Sequence, residues 1–385
     1  MPVWTAPDTP VLQRVFDAHV SATGTEPTQR ADTPGTWVVA GANADHFGGV
    51  IAVGLTDLRL AVAVSPRTDA DFCIYGNFAD AAVPSDVAER ASTLVTTMMG
   101  RQMLSRDTQG MDITVVSDIP LGSGLGARHS FDAALALALS SRDPEANTAP
   151  VRTRLAEVCH QAGKAGGYHV LRARHTAALR GADSSVAVID YSDVSLTQAP
   201  HPQRSHFRVF SVAATHGTPQ TTEPALIASR ELYDSACANF GVNSLRQLPD
   251  AGDRVAEWVA TVRDVKGADA ALDPDRARSW IAYGESESSQ GENVARALRS
   301  LRPQDLISTL AEPNAHPELT TPDSLLELIS LRGATVVRPA TPGMSDAVIA
   351  FVDAARADEF LRTLDGDGLA VVELRPGSPA STPSS

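Results

Sequence analysis

The sequence predicts an α+β fold built in two halves, and three observations carry the prediction. Strand-length apolar runs alternate with helix-length amphipathic stretches along both halves of the chain. A glycine-rich turn at 122–126 follows the apolar run Ile113–Val116 and precedes an alanine- and leucine-rich run to Leu139, an order that reads as strand, turn, helix. A polar break at 195–206, with Pro200, His201, Pro202 and His206, marks a boundary. The expected units are 1–200 and 201–375, followed by a disordered Ser- and Pro-rich tail at 376–385. At 385 residues the chain has room for two domains or one large core.

Each element follows from local pattern. Residues 11–21 place apolar side chains at three- and four-residue spacing, which predicts an amphipathic helix. Trp37–Ala40 reads as a buried strand running into a loop with Gly48 and Gly49. Val50–Val64 is β-rich and is expected to form two strands around Thr56 and Asp57. Residues 84–104 have helical character, with the Met98–Met99 pair filling a core gap. A helix is expected at 151–161 and a strand at 185–190. Between them, 165–181 gathers three arginines and two histidines, which suits an anion site or a solvated helix face equally. In the second half, strands are expected at 207–213, 336–337, 347–352 and 369–374, and helices near 224–240, 251–265, 291–311, 323–331 and 354–364.

Composition narrows the function. Apolar residues make up 43% and charged residues 20%, and the formal charge of -14 argues against a nucleic-acid partner or an anionic membrane surface. A small anionic ligand remains compatible, since one local site can be positive in an acidic protein. Lys164 and Lys266 are the only lysines, so nearly all positive charge is arginine. Cys73, Cys159 and Cys237 are far apart and form no CxxC pair, which fits a reducing compartment. No segment is long and apolar enough to span a membrane, and the expectation is a cytoplasmic protein.

The glycines of Gly122-Ser123-Gly124-Leu125-Gly126 let the backbone turn sharply and present N–H groups at a helix start, a place that suits phosphate. A flexible turn is the alternative. The stretch is neither GxGxxG nor a lysine-bearing P-loop, and it is not a GxSxG elbow, because Ser123 sits one place too early. The ten histidines show no zinc spacing. A nucleophilic arrangement around His129 and Ser130 has only composition behind it.

Several marks, in order, resemble the galactokinase branch of the GHMP small-molecule kinases. Pro34-Gly-Thr-Trp-Val-Val-Ala-Gly-Ala-Asn-Ala-Asp-His-Phe-Gly-Gly49 resembles the family signature PGRVNLIGEHTDYNGG. Asp118–Asp132 resembles the ATP-loop motif DVPLGSGLSSSAALE, and His175–Arg180 and Val188–Asp190 resemble the DQTASLR and LLID stretches. Tyr233–Arg246 and Val371–Ala380 resemble the segment after YNxRR and the final strand. The resemblance implies a two-domain GHMP kinase fold, its N-terminal domain similar to domain 2 of ribosomal protein S5 and its C-terminal domain a ferredoxin-like α/β layer. It also implies a cleft between the domains, with ATP and Mg²⁺ as cofactors if nucleotide binding survives.

The departures from the family pattern fall where chemistry is expected. The base position, an aspartate in the family, is Arg174, and the catalytic arginine position is Thr36. Arginine stays protonated and cannot take a hydroxyl proton. The sugar-contacting positions are Ala42, Asn43, Asp45 and Leu226, of which only Asp45 keeps the family residue, while Arg230 of YNxRR is kept. The loop serines are Gly126, Ala127 and Arg128, so the hydroxyl expected on Mg²⁺ is absent, while the magnesium carboxylate position keeps an acid as Asp132. The third loop is Thr341-Pro-Gly-Met-Ser-Asp346, with Gly343 retained. Arg128 is expected either to draw an anion or to fill the phosphate pocket as a counter-ion.

The leading expectation is a galactokinase-like pseudokinase that keeps at most ligand binding or a regulatory or structural role. The alternative is an active kinase for galactose or another small alcohol, with Asp45, Asp132, Asp190 or Asp183 as carboxylates to test. A small sugar or phosphorylated metabolite is the expected ligand. A protein partner or self-association is left open.

Overall fold

The computed structural model describes residues 3–79, 81–108, 110–214 and 222–383. The first half runs α1 (Val11–Thr23), β1 (Gln29–Ala40), the single turn α2 (Ala44–Phe47), β2 (Val50–Pro66), β3 (Phe72–Phe78), β4 (Ala81–Ala82), α3 (Val87–Gly100), β5 (Met111–Ser117), α4 (Ala127–Ser140), α5 (Ala149–Ala165), α6 (Arg172–Arg180), β6 (Ser185–Asp190) and β7 (Ser195–Pro200). Its strands form one sheet in the order β4-β3-β5-β2-β6-β7, with β1 paired to β2. The chain continues through β8 (Phe207–Ala214), α7 (Glu223–Phe240), α8 (Ala251–Lys266), α9 (Pro274–Ser300), α10 (Pro303–Ala311), α11 (Asp323–Leu331), β9 (Val336–Thr341), β10 (Ser345–Asp353), α12 (Ala357–Thr363) and β11 (Leu369–Glu373). These strands form a second, antiparallel sheet ordered β11-β8-β10-β9. The fold is mixed α+β, as the alternating pattern predicts.

α4 is apolar on nearly every side, because Ala133, Ala134, Leu135, Ala136, Leu137 and Ala138 are all fully enclosed. A helix with no polar face belongs in the interior. It packs on β1 and β2, and its N-terminal end carries the glycine-rich loop into the space between the two sheets. Ser211 of β8 donates to Ser123 O at 2.5 Å and ties that loop to the second sheet.

Several expectations need correction. Val50–Pro66 is one strand, not two. The Thr56–Asp57 signal is a bulge: β1 pairs Pro34 with Arg59 and Thr36 with Leu55, leaving the intervening β2 residues without partners on β1. The C-terminal tail docks there, with Asp57 N donating to Arg375 O and Gly377 N donating to Leu55 O. The tail expected to be disordered is therefore ordered through its described part. Ala380 N donates to Ala178 O at 2.7 Å, Ser381 and Asp32 exchange backbone hydrogen bonds, and Arg59 and Arg152 hold carbonyls of Ser378, Pro379 and Ala380.

The helix expected at 291–311 is the end of α9 plus α10, parted where Leu301 takes a left-handed conformation and Pro303 starts a new first turn. The expected boundary at 195–206 contains β7, the edge strand of the first sheet, and a short helical turn at Pro202–Ser205. Among the described residues no helix is long and apolar enough to cross a membrane.

Candidate active-site cleft

A cleft of about 1050 Å³ opens between the glycine-rich loop, α3, the 168–169 segment and the β9–β10 turn. Gly122, Gly124, Leu125, Gly126, Ala127, Arg128 and Arg174 line it, so most of the loop expected to hold phosphate faces this space. Two of its glycines are required by geometry. At Gly124, with φ of +70°, a Cβ would lie 2.5 Å from Ala340 Cβ. At Gly126, with φ of +67°, a Cβ would lie 2.9 Å from Arg174 Nη1 and 3.1 Å from Thr36 Oγ1. Ser123 is buried, its hydroxyl spent on Pro120 O at 2.6 Å.

Arg174 sits on α6 with 2% of its surface exposed. Its Nη1 donates to Thr36 O and, at 3.1 Å, to Thr36 Oγ1; its Nη2 donates to Gly124 O and Thr341 Oγ1, both at 2.8 Å. One guanidinium thus joins β1, the glycine loop and the end of β9. Burial draws its pKa down to about 10, so it is a cation at neutral pH. Three departures from the family pattern, Thr36, Gly126 and Arg174, are in mutual contact. Threonine at 36 and glycine at 126 leave the room that the Arg174 side chain fills.

Asp132, the expected metal carboxylate, is buried and already engaged. Arg90 Nε donates to its Oδ1 at 3.2 Å and Arg90 Nη2 to its Oδ2, which also takes a hydrogen bond from His175 Nε2 at 3.3 Å. Burial works against this carboxylate, yet the Arg90 charge and the His175 contact hold its pKa below the ordinary value. The expectation that Arg128 fills the phosphate pocket is also corrected. Its guanidinium pairs with Asp86 at 2.7 and 3.0 Å and remains half exposed at the cleft rim. Of the arginines that line the cleft among the described residues, Arg90 and Arg174 are the buried ones.

The expected acceptor-binding positions do not line the cleft. Ala42, Asn43, Asp45 and Leu226 are all buried, and so is Thr36. Asp45 accepts the backbone N–H of His46 at 3.1 Å and that of Ala173 at 3.3 Å, which anchors the start of α6. Asn43 donates to Pro342 O at 3.4 Å, and Leu226 lies against Gly343, where an added Cβ would approach its Cδ1 to 3.1 Å. The 341–346 segment is a tight turn between β9 and β10, with Gly343 N donating to Thr320 O and Thr222 N to Gly343 O. Arg230 donates to Tyr168 O.

The other carboxylates once considered lie elsewhere. Asp190 pairs with Arg246 at 2.9 Å, and Asp183 is exposed on the turn before β6. Ser130 donates to Pro34 O at 2.8 Å and makes no hydrogen bond with His129, which instead accepts the Leu171 N–H through Nε2.

The pattern-based reading missed Arg90, and it took in Tyr168 and His169 only as members of the 165–181 stretch. Arg90 was detectable, since it occupies the face of α3 shared by Val87, Ala91 and Leu94. A charge on a buried helical face needs a partner. Tyr168 stacks over Arg90, with the guanidinium carbon 4.8 Å from the ring centre. His169 lines the cleft with 3% exposure, and neither ring nitrogen has a hydrogen-bond partner among the described residues. Burial keeps its imidazole neutral. Among the described residues, no group of three or more His, Cys, Asp or Glu side chains is arranged to hold a metal ion.

No family model matches the sequence, and no curated protein matches it. Solved structures match along nearly the whole chain. Lactococcus lactis galactokinase complexed with galactose superposes with a TM-score of 0.74 at 14% identity, covering 97% of this chain and 100% of that one. Streptococcus pneumoniae phosphomevalonate kinase in complex with phosphomevalonate and AMPPNP gives 0.57 at 11% identity, covering 92% and 99%. Homoserine kinase from Cytophaga hutchinsonii gives 0.56 at 12% identity, covering 92% and 97%. At these identities the likeness is one of fold, and the fold is that of the GHMP small-molecule kinases.

Proposed function

We propose that this GHMP-fold chain is a galactokinase-like protein that no longer transfers a phosphoryl group and that uses its cleft for binding. The observation that carries the reading is Arg174, buried at the position where the resemblance implies a catalytic aspartate. Phosphoryl transfer rests on positioning, on neutralising the phosphates and on a residue that orients the attacking hydroxyl. A guanidinium that donates to Thr36, Gly124 and Thr341 supplies no base, and it ties β1, the glycine loop and the end of β9 together. The buried acceptor positions and the Arg90–Asp132 pair support the same reading.

A replacement base would have to be a carboxylate facing the glycine loop. Asp45 is committed to the backbone of α6, Asp190 to Arg246, and Asp183 lies on an exposed turn. The test is incubation of the purified chain with MgATP and a panel of small alcohols that includes galactose, with ADP and phosphorylated product both followed. The reading predicts no acceptor-dependent ADP. Acceptor-dependent ADP together with a phosphorylated alcohol would overturn it.

A further inference from the structure

The cleft does not fit a divalent cation. Mg²⁺ takes oxygen ligands in near-octahedral geometry at short distances. Both oxygens of Asp132 are taken by Arg90, one of them also by His175. Positions 126–128 carry no hydroxyl, and Ser123 and Ser130 spend theirs on Pro120 O and Pro34 O. What stands against the Asp132 carboxylate is a guanidinium fixed in place by the fold.

That guanidinium is not used up. Arg90 lines the cleft beside the glycine loop, held from one side by Asp132 and covered by the Tyr168 ring. Its Nη1 has no acceptor among the described residues. The backbone N–H groups of Ala127, Arg128 and His129 open α4, a helix of 14 residues, and helix starts of this kind attract anions. His169 also lines the cleft, its ring packed against His46 with 5.1 Å between the ring centres. Four carboxylates line the cleft: Asp86 pairs with Arg128, Glu223 accepts the backbone N–H of His169 at 2.7 Å, Asp323 accepts from Thr321 Oγ1, and Asp346 stands at the start of β10 with a partner of its own.

Resting on the non-transferring reading above, we propose that this cleft binds the phosphate of a small molecule without a divalent cation, Arg90 supplying the positive charge that Mg²⁺ would bring. The volume of about 1050 Å³ exceeds what a bare phosphate needs and suits a ligand as large as a nucleotide. A sugar phosphate shares the same recognised group.

The test is calorimetric titration of the full chain with ATP, ADP, a hexose monophosphate and inorganic phosphate, each in excess EDTA and again in excess Mg²⁺. The arms identify which phosphate source is preferred. The expected result is binding of at least one probe in EDTA, with Mg²⁺ giving no gain as large as about tenfold in affinity. Binding that appears only with Mg²⁺ overturns the proposal, as does failure of all four probes at millimolar concentration. The double substitution Arg90→Gln with Asp132→Asn removes both charges and keeps polar partners. It should weaken binding in EDTA by about tenfold or more. If that variant folds and binds as tightly as the parent, Arg90 is not the counter-charge and the proposal fails. If it does not fold, the parent's EDTA and Mg²⁺ titrations decide the proposal alone. Acceptor-dependent ADP formation bears on the non-transferring reading, whereas these titrations bear on the metal-free site, so the two fail separately.

Discussion

The contact between Gly126 and Arg174 can be measured as a coupling energy. Alanine at 126 meets two separate obstacles. The first is backbone: φ is +67°, and an L-residue in the left-handed region costs about 1 kcal/mol. The second is the neighbour: the new Cβ lies 2.9 Å from Arg174 Nη1 and 3.0 Å from its Cδ, an overpacking that costs about 1–3 kcal/mol. Gly126→Ala should therefore destabilise by about 2–4 kcal/mol.

Arg174→Ala acts in both directions. It leaves Thr36 O, Gly124 O and Thr341 Oγ1 short of a donor, at about 1–2 kcal/mol each. It also relieves the burial of a cation whose pKa is pressed to about 10, worth about 3 kcal/mol. The net loss expected is about 0–3 kcal/mol. In the double variant the steric term vanishes and only the backbone term remains. A double-mutant cycle by urea denaturation should therefore show the pair less destabilised than the sum of the singles by about 1–3 kcal/mol. Additivity within about 0.5 kcal/mol would refute the claim that these two positions are fitted to each other.

Asp132→Leu alone strands the buried Arg90 charge and should cost about 3–5 kcal/mol, whereas Arg90→Met with Asp132→Leu should recover most of it; equal losses in a denaturation series would contradict the pairing. Truncation after Arg375 removes the hydrogen bonds of Gly377, Ala380 and Ser381 and the carbonyls held by Arg59 and Arg152, so a loss of about 4–7 kcal/mol is expected at roughly 0.5–1 kcal/mol per bond. An unchanged denaturation midpoint would mean the tail is not part of the fold. Burial pushes the Glu287 carboxyl up from 4.5 to about 7. The folded chain then holds this proton more tightly than the unfolded chain. Its burial costs least below pH 4.5 and opposes folding increasingly as pH climbs towards 7. Glu287→Gln should flatten that slope, gaining about 2–3 kcal/mol relative to the parent between pH 5 and pH 8. Parallel pH profiles for the two proteins would exclude this assignment.

Much of the fold was legible because its signals are local. α1, α7, α8 and β6 show the expected periodicity, and the glycines at 122–126 announced a turn between strand and helix. The hidden parts depend on partners far along the chain. α9 buries Ala277, Trp280 and Ile281 near its start but Glu287, Ser288 and Gln290 at its middle, so the apolar face is interrupted before 291. β3 went unnoticed because only Phe78 of its seven residues is buried and it pairs in parallel with β5, where a Cβ at Gly76 would run into Val115 O. The tail is rich in Ser and Pro, yet it lies against the bulge in β2, a feature no local pattern displays.

The site divided along the same line. Sequence comparison singled out Arg174, Thr36 and the loop glycines as departures, but it treated them as separate losses. Their mutual contact, and the engagement of Asp132 by Arg90, appear only when α3, α4 and α6 are brought together. Arg128 misled for the opposite reason. It stands in the loop sequence, but its long side chain reaches outward to Asp86.

The most direct test of the central claim is a single-turnover experiment with γ-labelled MgATP, galactose and protein at equimolar concentration, quenched over a long time course. The account predicts that the label stays on ATP or is released only at the protein-free rate, with no labelled sugar phosphate formed. Transfer of label to galactose in a protein-dependent burst would contradict it, because a chain with Arg174 at the base position would then have carried out the reaction.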